Sequence, residues 1–216
     1  MEIIRFAELK AQPWRNGGGV TRELAGHPVA ASSRNSTEQD GGRDWRVSIA
    51  DVSKAGAFSA FPGMDRVLTV IDGELLLLTV DGAEHPLEKY RPFRFSGDAD
   101  SAGALPTGDI RGLFVLTRTG AFKGYTSIIE LSKKRAHPVF EGQFGILLQG
   151  QATVGPGTAG TEPGADAGAG AGTAPAAAVE PRTLDQYDAV VGSDATTPEI
   201  LGRGFLAVVS IDRVAE

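Results

Sequence analysis

The chain has 216 residues, 41% hydrophobic and 22% charged, enough for one large or two small domains with an ordinary core. Its formal net charge is -6 and its pI about 5.2, and its only basic run is Lys133-Lys134-Arg135, so it lacks the electrostatic footprint of a nucleic-acid binder. The absence of cysteine excludes disulfides and thiolate metal sites.

The start, Met1-Glu2-Ile3-Ile4-Arg5, carries an acid at position 2 and no sustained apolar stretch, unlike a secretory leader. Nothing along the chain approaches the length of apolar run that spans a bilayer. A cytoplasmic protein with no membrane contact is expected. The next segment is unusual: Trp14-Arg15-Asn16-Gly17-Gly18-Gly19-Val20-Thr21. Three consecutive glycines permit positive φ, and their N–H groups could form an anion-binding nest around Asn16, Gly17 and Gly18. The alternative is a bend lying over a barrel. The segment is neither a P-loop nor a dinucleotide fingerprint, because the required lysine and glycine spacings are missing.

His27 to Asp44, rich in Ser, Asn, Gly and charge, is expected to be a long loop. A strand follows at Trp45 to Val52, with Arg46, Ser48 and Ala50 on one face and Val47 and Ile49 on the other. A lone arginine among apolar neighbours either snorkels to water or recognises a carboxylate inside the barrel. In Phe58-Ser59-Ala60-Phe61-Pro62-Gly63-Met64-Asp65-Arg66, the Pro-Gly pair suits a type II turn, and an acid and a base open the next strand. Asp65 and Arg66 form either a surface ion pair or a polar group facing the barrel mouth.

Further short β-rich runs come at Val67–Ile71, Leu75–Val80, Leu113–Leu116, Tyr125–Leu131, Phe144–Leu148 and Phe205–Ile211. The turn signals Asp72-Gly73, Asp81-Gly82, Ser96-Gly97-Asp98 and Gly120 lie between them. With 29 glycines and 12 prolines scattered along the chain, few windows could hold three helical turns. Gly155 to Pro181, almost entirely Gly, Ala, Thr and Pro, is expected to be a flexible loop. His27, His85 and His137 each precede a proline and are expected in exposed turns. No metal and no cofactor are expected, since imidazoles and carboxylates do not converge by spacing. No serine sits in a nucleophile elbow, and no pair of carboxylates is singled out as acid and base.

Setting the Gly/Ala-rich stretch aside exposes a repeat. Asp72-Gly73, Leu87-x-x-Tyr90, Ser96-Gly97-Asp98 and Arg111-Gly112 reappear in order as Gln149-Gly150, Leu184-x-x-Tyr187, Gly192-Ser193-Asp194 and Arg203-Gly204. The expectation is an all-β protein of two jelly-roll half-barrels from an internal duplication, residues 1–120 and 121–216, packed as one unit with a loop at 155–181.

The chain resembles the HutD/Ves family. The resemblance rests on Pro13-Trp14-Arg15-Asn16-Gly17-Gly18-Gly19-x-Thr21-x-Glu23, Trp45-Arg46-x-Ser48-Ile49-Ala50, Phe58-Ser59-x-Phe61-Pro62-Gly63-x-Asp65-Arg66 and Phe93-x-Phe95-Ser96-Gly97-Asp98. It implies a bicupin without the cupin metal motif, linked to histidine utilisation in one branch and to stress in the other, with no established reaction. It also implies a pocket formed by Asn16, Thr21, Arg46, Phe61, Asp65 and Arg66. Two features depart from the pattern: Arg111 stands where the family usually has asparagine, and the Gly/Ala-rich insert is particular to this chain.

The expected function is metal-independent binding of a small carboxylate metabolite, such as urocanate or N-formylglutamate, in sensing or regulating histidine utilisation. A planar ligand ring would rest on Phe61 or Trp45. The alternatives are a metal-independent isomerase or hydrolase acting on a small acid, and a structural or stress-related protein without a ligand. A homo-oligomer is compatible with the sequence.

Overall fold

The computed structural model describes residues 1–28, 43–157 and 180–215. Its strands are β1 (Glu2–Ile4), β2 (Gln12–Pro13), β3 (Gly19–Pro28), β4 (Arg43–Val52), β5 (Gly56–Ala57), β6 (Met64–Asp72), β7 (Leu75–Val80), β8 (Ala83–Glu88), β9 (Phe93–Ser96), β10 (Ser101–Ala104) and β11 (Ile110–Arg118). They continue with β12 (Phe122–Leu131), β13 (His137–Pro138), β14 (Gln143–Pro156), β15 (Arg182–Leu184), β16 (Ala189–Val191) and β17 (Pro198–Arg213). One 3-10 turn, Phe6–Glu8, is the helical element among the described residues, and no described helix is long and apolar enough to cross a membrane.

In the first half, a six-stranded sheet ordered β2-β3-β4-β11-β6-β9 faces a four-stranded sheet ordered β5-β10-β7-β8. Between them lie Ala50, Val52, Leu68, Val70, Leu76, Leu78, Leu87, Phe95, Ile110 and Phe114. The second half is one seven-stranded sheet with the path β1-β16-β14-β17-β12. Its two long strands bend where Gly150 pairs with Gly204, at φ 102° and 116°. A side chain at either glycine would run into the facing backbone, so the fold-over requires glycine on both strands. In the first half the chain breaks at Gly73 instead, and the same path becomes two separate strands, β6 and β7.

The halves pack face to face. Val47, Ile49, Val67, Leu113 and Val115 of the six-stranded sheet share a core with Phe144, Ile146, Leu148, Ala207 and Val209. Strand alternation makes this work, because the odd positions of β4 face the partner half while Ala50 and Val52 face the barrel. The amino-terminal strand crosses over: β1 pairs with β16 in the sheet of the second half. Arg5 anchors it through a 2.6 Å ion pair to Asp188, which is 2% exposed and also accepts from the Phe6 and Asp185 backbone N–H groups.

The repeat anchors have matching geometry, consistent with duplication. Tyr90 and Tyr187 adopt φ 67° and 70°, and their N–H groups donate to Val70 O and Leu147 O at 2.8 and 2.6 Å. A further pair escaped the sequence comparison: Gly63 and Gly142 follow Phe61 and Phe140 in equivalent turns, at φ 72° and 76°.

Several sequence expectations need correction. The ends of the expected loop at His27 to Asp44 are strand, since His27 pairs with Trp45 and Pro28 with Arg43; residues 29–42 lie outside the described residues. Gly155 and Pro156 belong to β14, and residues 158–179 of the Gly/Ala-rich stretch likewise lie outside the described residues. All three histidines sit in strands rather than turns: His27 in β3, His85 in β8 and His137 in β13. His-Pro was a poor turn signal because these strands tolerate proline, as short or outer strands do.

Candidate site: a buried arginine inside the first barrel

Four interior residues line up across the six-stranded sheet. Leu116 of β11 is the register partner of Arg46 on β4 and of Arg66 on β6, and Arg66 pairs with Phe95 on β9. Opposed residues in an antiparallel sheet point to the same side, here the barrel side that Phe114 and Leu68 also occupy. Both arginines therefore enter the barrel.

Arg66 is only 3% exposed. Its guanidinium carbon lies 4.7 Å from the ring centre of Phe95, 5.1 Å from Phe61 and 5.7 Å from Phe58. The Arg46 guanidinium lies 5.5 Å from Phe61, so one phenylalanine serves both cations. Arg66 donates from Nη1 to Ser59 O at 3.1 Å, while its Nε has no hydrogen-bond partner. Among the described residues no carboxylate forms an ion pair with Arg66. Burial first, and the charge of Arg46 second, hold its pKa down to about 10, so it remains a cation at neutral pH. Aromatic faces attract a cation but do not neutralise it.

Phe61 is held by its loop. Its N–H donates to Gly97 O at 2.8 Å, Gly97 N donates to Met64 O at 2.7 Å, and Gly63 N donates to Asp98 Oδ1 at 3.2 Å. Gly97 has no room for a side chain, since a Cβ there would lie 2.7 Å from Met64 O and closer still to Phe61 O.

The other expected site residues fall elsewhere. Asp65 alternates with Arg66 along β6 and points to the opposite face, 3.7 Å from Arg94 and accepting from Thr119 Oγ1 at 3.3 Å. The glycine segment is a closed turn rather than an open nest. Gly17 N donates to Trp14 O at 3.0 Å and Gly18 N to Asn16 Oδ1 at 2.9 Å, which engages both of these donors within the turn. Thr21 Oγ1 accepts from Trp14 Nε1 at 2.7 Å. Gly19 and Thr21 pair with Val52 and Ala50, so they stand about 20 and 13 Å along β4 from Arg46. Asn16, Gly17, Gly18 and Thr21 thus build a plug that sets Trp14 6.1 Å from Phe58, and do not converge on the arginines. Trp45 is on the outer face with Phe144 at 5.7 Å, out of reach of a ligand at Arg46.

Phe58, Phe95 and Ser59 were missed as site residues. Phe58 and Phe95 stood in the recognised motifs, but only the pairing of β6 with β9 puts Phe95 beside Arg66. Arg111 lies outside the barrel, 2.5 Å from Asp51 and over Tyr187 at 4.7 Å, so its departure from the family pattern does not touch the cluster of Arg46, Arg66 and their phenylalanines. No group of three or more His, Asp or Glu able to hold a metal occurs among the described residues. A groove of about 720 Å³ on the second half sets the exposed polar residues Lys133, Gln151, Asp185 and Gln186 beside Leu184 and Leu201, and offers no buried charge.

Comparison with known proteins agrees with this architecture. A conserved protein of unknown function from Pseudomonas aeruginosa PAO1 superposes with TM-score 0.72 at 24% identity, covering 99% of both chains. HutD from Pseudomonas fluorescens SBW25 superposes with TM-score 0.71 at 23% identity, again over 99% of both chains, which shows the shared fold. In sequence, Protein Ves of Citrobacter koseri is 31% identical over 150 residues, 68% of this chain and 72% of that protein. An uncharacterized 21.2 kDa protein in the hutC 3' region of Pseudomonas putida is 38% identical over 112 residues. That match covers 51% of this chain and 55% of the relative, so the chain spans about half of that protein. The HutD family model matches residues 6–207, and the chain belongs to the HutD family.

Proposed function

We propose that this HutD-family cupin binds a small carboxylate against Arg66 in the first barrel and acts as a metal-independent sensor or regulator in histidine utilisation. The observation that carries the reading is the buried guanidinium of Arg66, ringed by Phe58, Phe61 and Phe95, with an unpartnered Nε and no carboxylate partner among the described residues. A buried charge is normally paired, because the cost of leaving it alone is several kcal/mol. A carboxylate ligand would supply the missing charge and a forked acceptor matched to the guanidinium. Arg46 adds positive potential at the same ring. The aromatic faces would hold a planar or apolar ligand body.

The chemistry favours binding over catalysis: the cluster offers cations and aromatic faces, and among the described residues no carboxylate or histidine forms an ion pair with Arg66. The relative from Pseudomonas putida is named for its place beside hutC, and the Pseudomonas fluorescens HutD structure is described as a formate condition. These names support no more than a link to histidine utilisation, and the carboxylate reading rests on Arg66; urocanate and N-formylglutamate are the ligands to try.

The test is calorimetric titration of formate, urocanate and N-formylglutamate into the native protein and into Arg66→Met, which keeps the volume and removes the charge. Loss of a charge-assisted hydrogen bond should cost about 1.5–3 kcal/mol, roughly ten- to a hundredfold in affinity. Native-strength binding by the variant, or no binding of any of these acids by the native protein, defeats the assignment.

A further inference from the structure

The first barrel holds, besides Arg66 Nε, a buried hydroxyl without a partner. Ser101 is 2% exposed, and its hydroxyl makes no hydrogen bond. It lies on β10 two residues from Gly103, and that face of the strand meets Leu76 and Phe58 inside the barrel. Ser101 O accepts from Phe58 N at 2.8 Å, and the Phe58 ring lies 5.7 Å from the guanidinium carbon of Arg66. Phe58 thus links the backbone of Ser101 to the cluster around Arg66, with its ring against Gly103 on the same face of β10. Thr69 and Thr126 also have unpartnered hydroxyls, but their strands turn them toward the contact between the halves.

The scaffold does not need a hydroxyl at this place. In the second half the matching backbone bond runs from Val139 N to Pro198 O at 2.8 Å, so a proline occupies the register position of Ser101. A buried hydroxyl that satisfies nothing is a cost to the empty protein.

We propose that Ser101 is a specificity-determining contact, and that the ligand is an acid with a second hydrogen-bonding group, a carbonyl or ring nitrogen, at the end remote from its carboxylate. This rests on the carboxylate reading of Arg66. Arg66 anchors the charge, Phe58 and Phe61 line the middle, and Ser101 Oγ donates to the acceptor at the far end. A plain aliphatic acid leaves Ser101 without a hydrogen-bond partner.

Two pairs of acids that differ by one carbonyl test this by calorimetry: pentanoate against 4-oxopentanoate, and hexanoate against 5-oxohexanoate. The native protein should prefer the oxo acid in at least one pair by about three- to tenfold, the worth of one neutral hydrogen bond. Ser101→Ala should bind the plain acid as before, lose the preference and melt no lower than the native protein, because it removes a hydroxyl that bonds to nothing. Equal binding within both pairs by the native protein overturns the proposal while leaving the carboxylate site standing. A preference that survives in Ser101→Ala, or an equal loss of both acids in that variant, also overturns it. Failure of the native protein to bind any of the four acids, with formate and urocanate failing too, removes both this inference and the site beneath it.

Discussion

Across the sheet of the first half, one row runs Arg46, Leu116, Arg66 and Phe95; the register-equivalent row in the second half runs Ser127, Val208, Gly145 and Val190, with Ser127 exposed at its end. Phe58 and Gly103 of the first barrel have Val139 and Ile200 as counterparts in the strand contacts of the second. Val139, Val190 and Ile200 are fully buried, and a Cβ on Gly145 would meet Ile200 at 2.7 Å and Val139 at 3.1 Å. The second interior is closed by aliphatic side chains where the first holds charge and aromatic faces. One scaffold therefore supports an aliphatic core in one half and a cluster of arginines and aromatic rings in the other, and what differs is a handful of positions in one row.

The sharpest way to break this comparison is to move the charge across. Gly145→Arg places an unpaired guanidinium among Val139, Ile200 and Leu206, and should cost at least about 4 kcal/mol in urea unfolding, or prevent folding. A loss below about 1 kcal/mol would show that the second barrel has room for a site after all.

The reverse change should go the other way. The pKa of Arg66 is held down to about 10, so the folded state disfavours its proton relative to the unfolded chain. That penalty is present in full below pH about 10 and is relieved as the pH rises toward the unfolded arginine's pKa. Arg66→Met should therefore raise stability at pH 7, by roughly 3 kcal/mol, while weakening acid binding about ten- to a hundredfold. A destabilised variant would mean that the aromatic contacts of Arg66 outweigh its desolvation.

Gly97→Ala and Gly192→Ala separate scaffold from site. Each introduces a methyl against a carbonyl, that of Phe61 in one half and of Phe140 in the other, and each should lose about 2 kcal/mol by overpacking. Only Gly97→Ala should also weaken acid binding, because only Phe61 lies over the arginines. Equal effects on binding would place the ligand elsewhere.

The smallest effect concerns His137, whose pKa burial pushes down. Its proton is disfavoured on folding, so it contributes a loss of stability as the pH falls below the ordinary histidine range. His137→Gln should flatten that acid limb of the stability profile without changing acid binding at pH 7, since β13 belongs to the second half.

Much of the fold was legible in the sequence, because strand alternation and glycine turns are local. Leu75–Val80 was bounded correctly, Tyr90 and Tyr187 marked equivalent turns, and the spacing of Asp72-Gly73 and Gln149-Gly150 carried the repeat. The presence of Arg46 on a strand face and of Phe61 in a tight turn were local facts too. Three things were not local. Which face of β6 turns into the barrel is settled by its pairing with β11 and β9, and that choice separates Asp65 from Arg66. The length of β4 places the glycine plug and the arginine row at different levels, so residues that looked like one motif set serve two purposes. Finally, whether an interior position is filled or left to a charge depends on side chains that arrive from the opposite wall, as Ile200 and Val139 do at Gly145 and as Phe58 does at Arg66. The sequence by itself determined that this chain would make two glycine-turned β units with arginines on apolar strands. Only tertiary packing decided that Arg46 and Arg66 share one barrel and that Arg66 lies buried there without a carboxylate among the described residues, because burial and pairing are set by contacts between segments far apart in the chain.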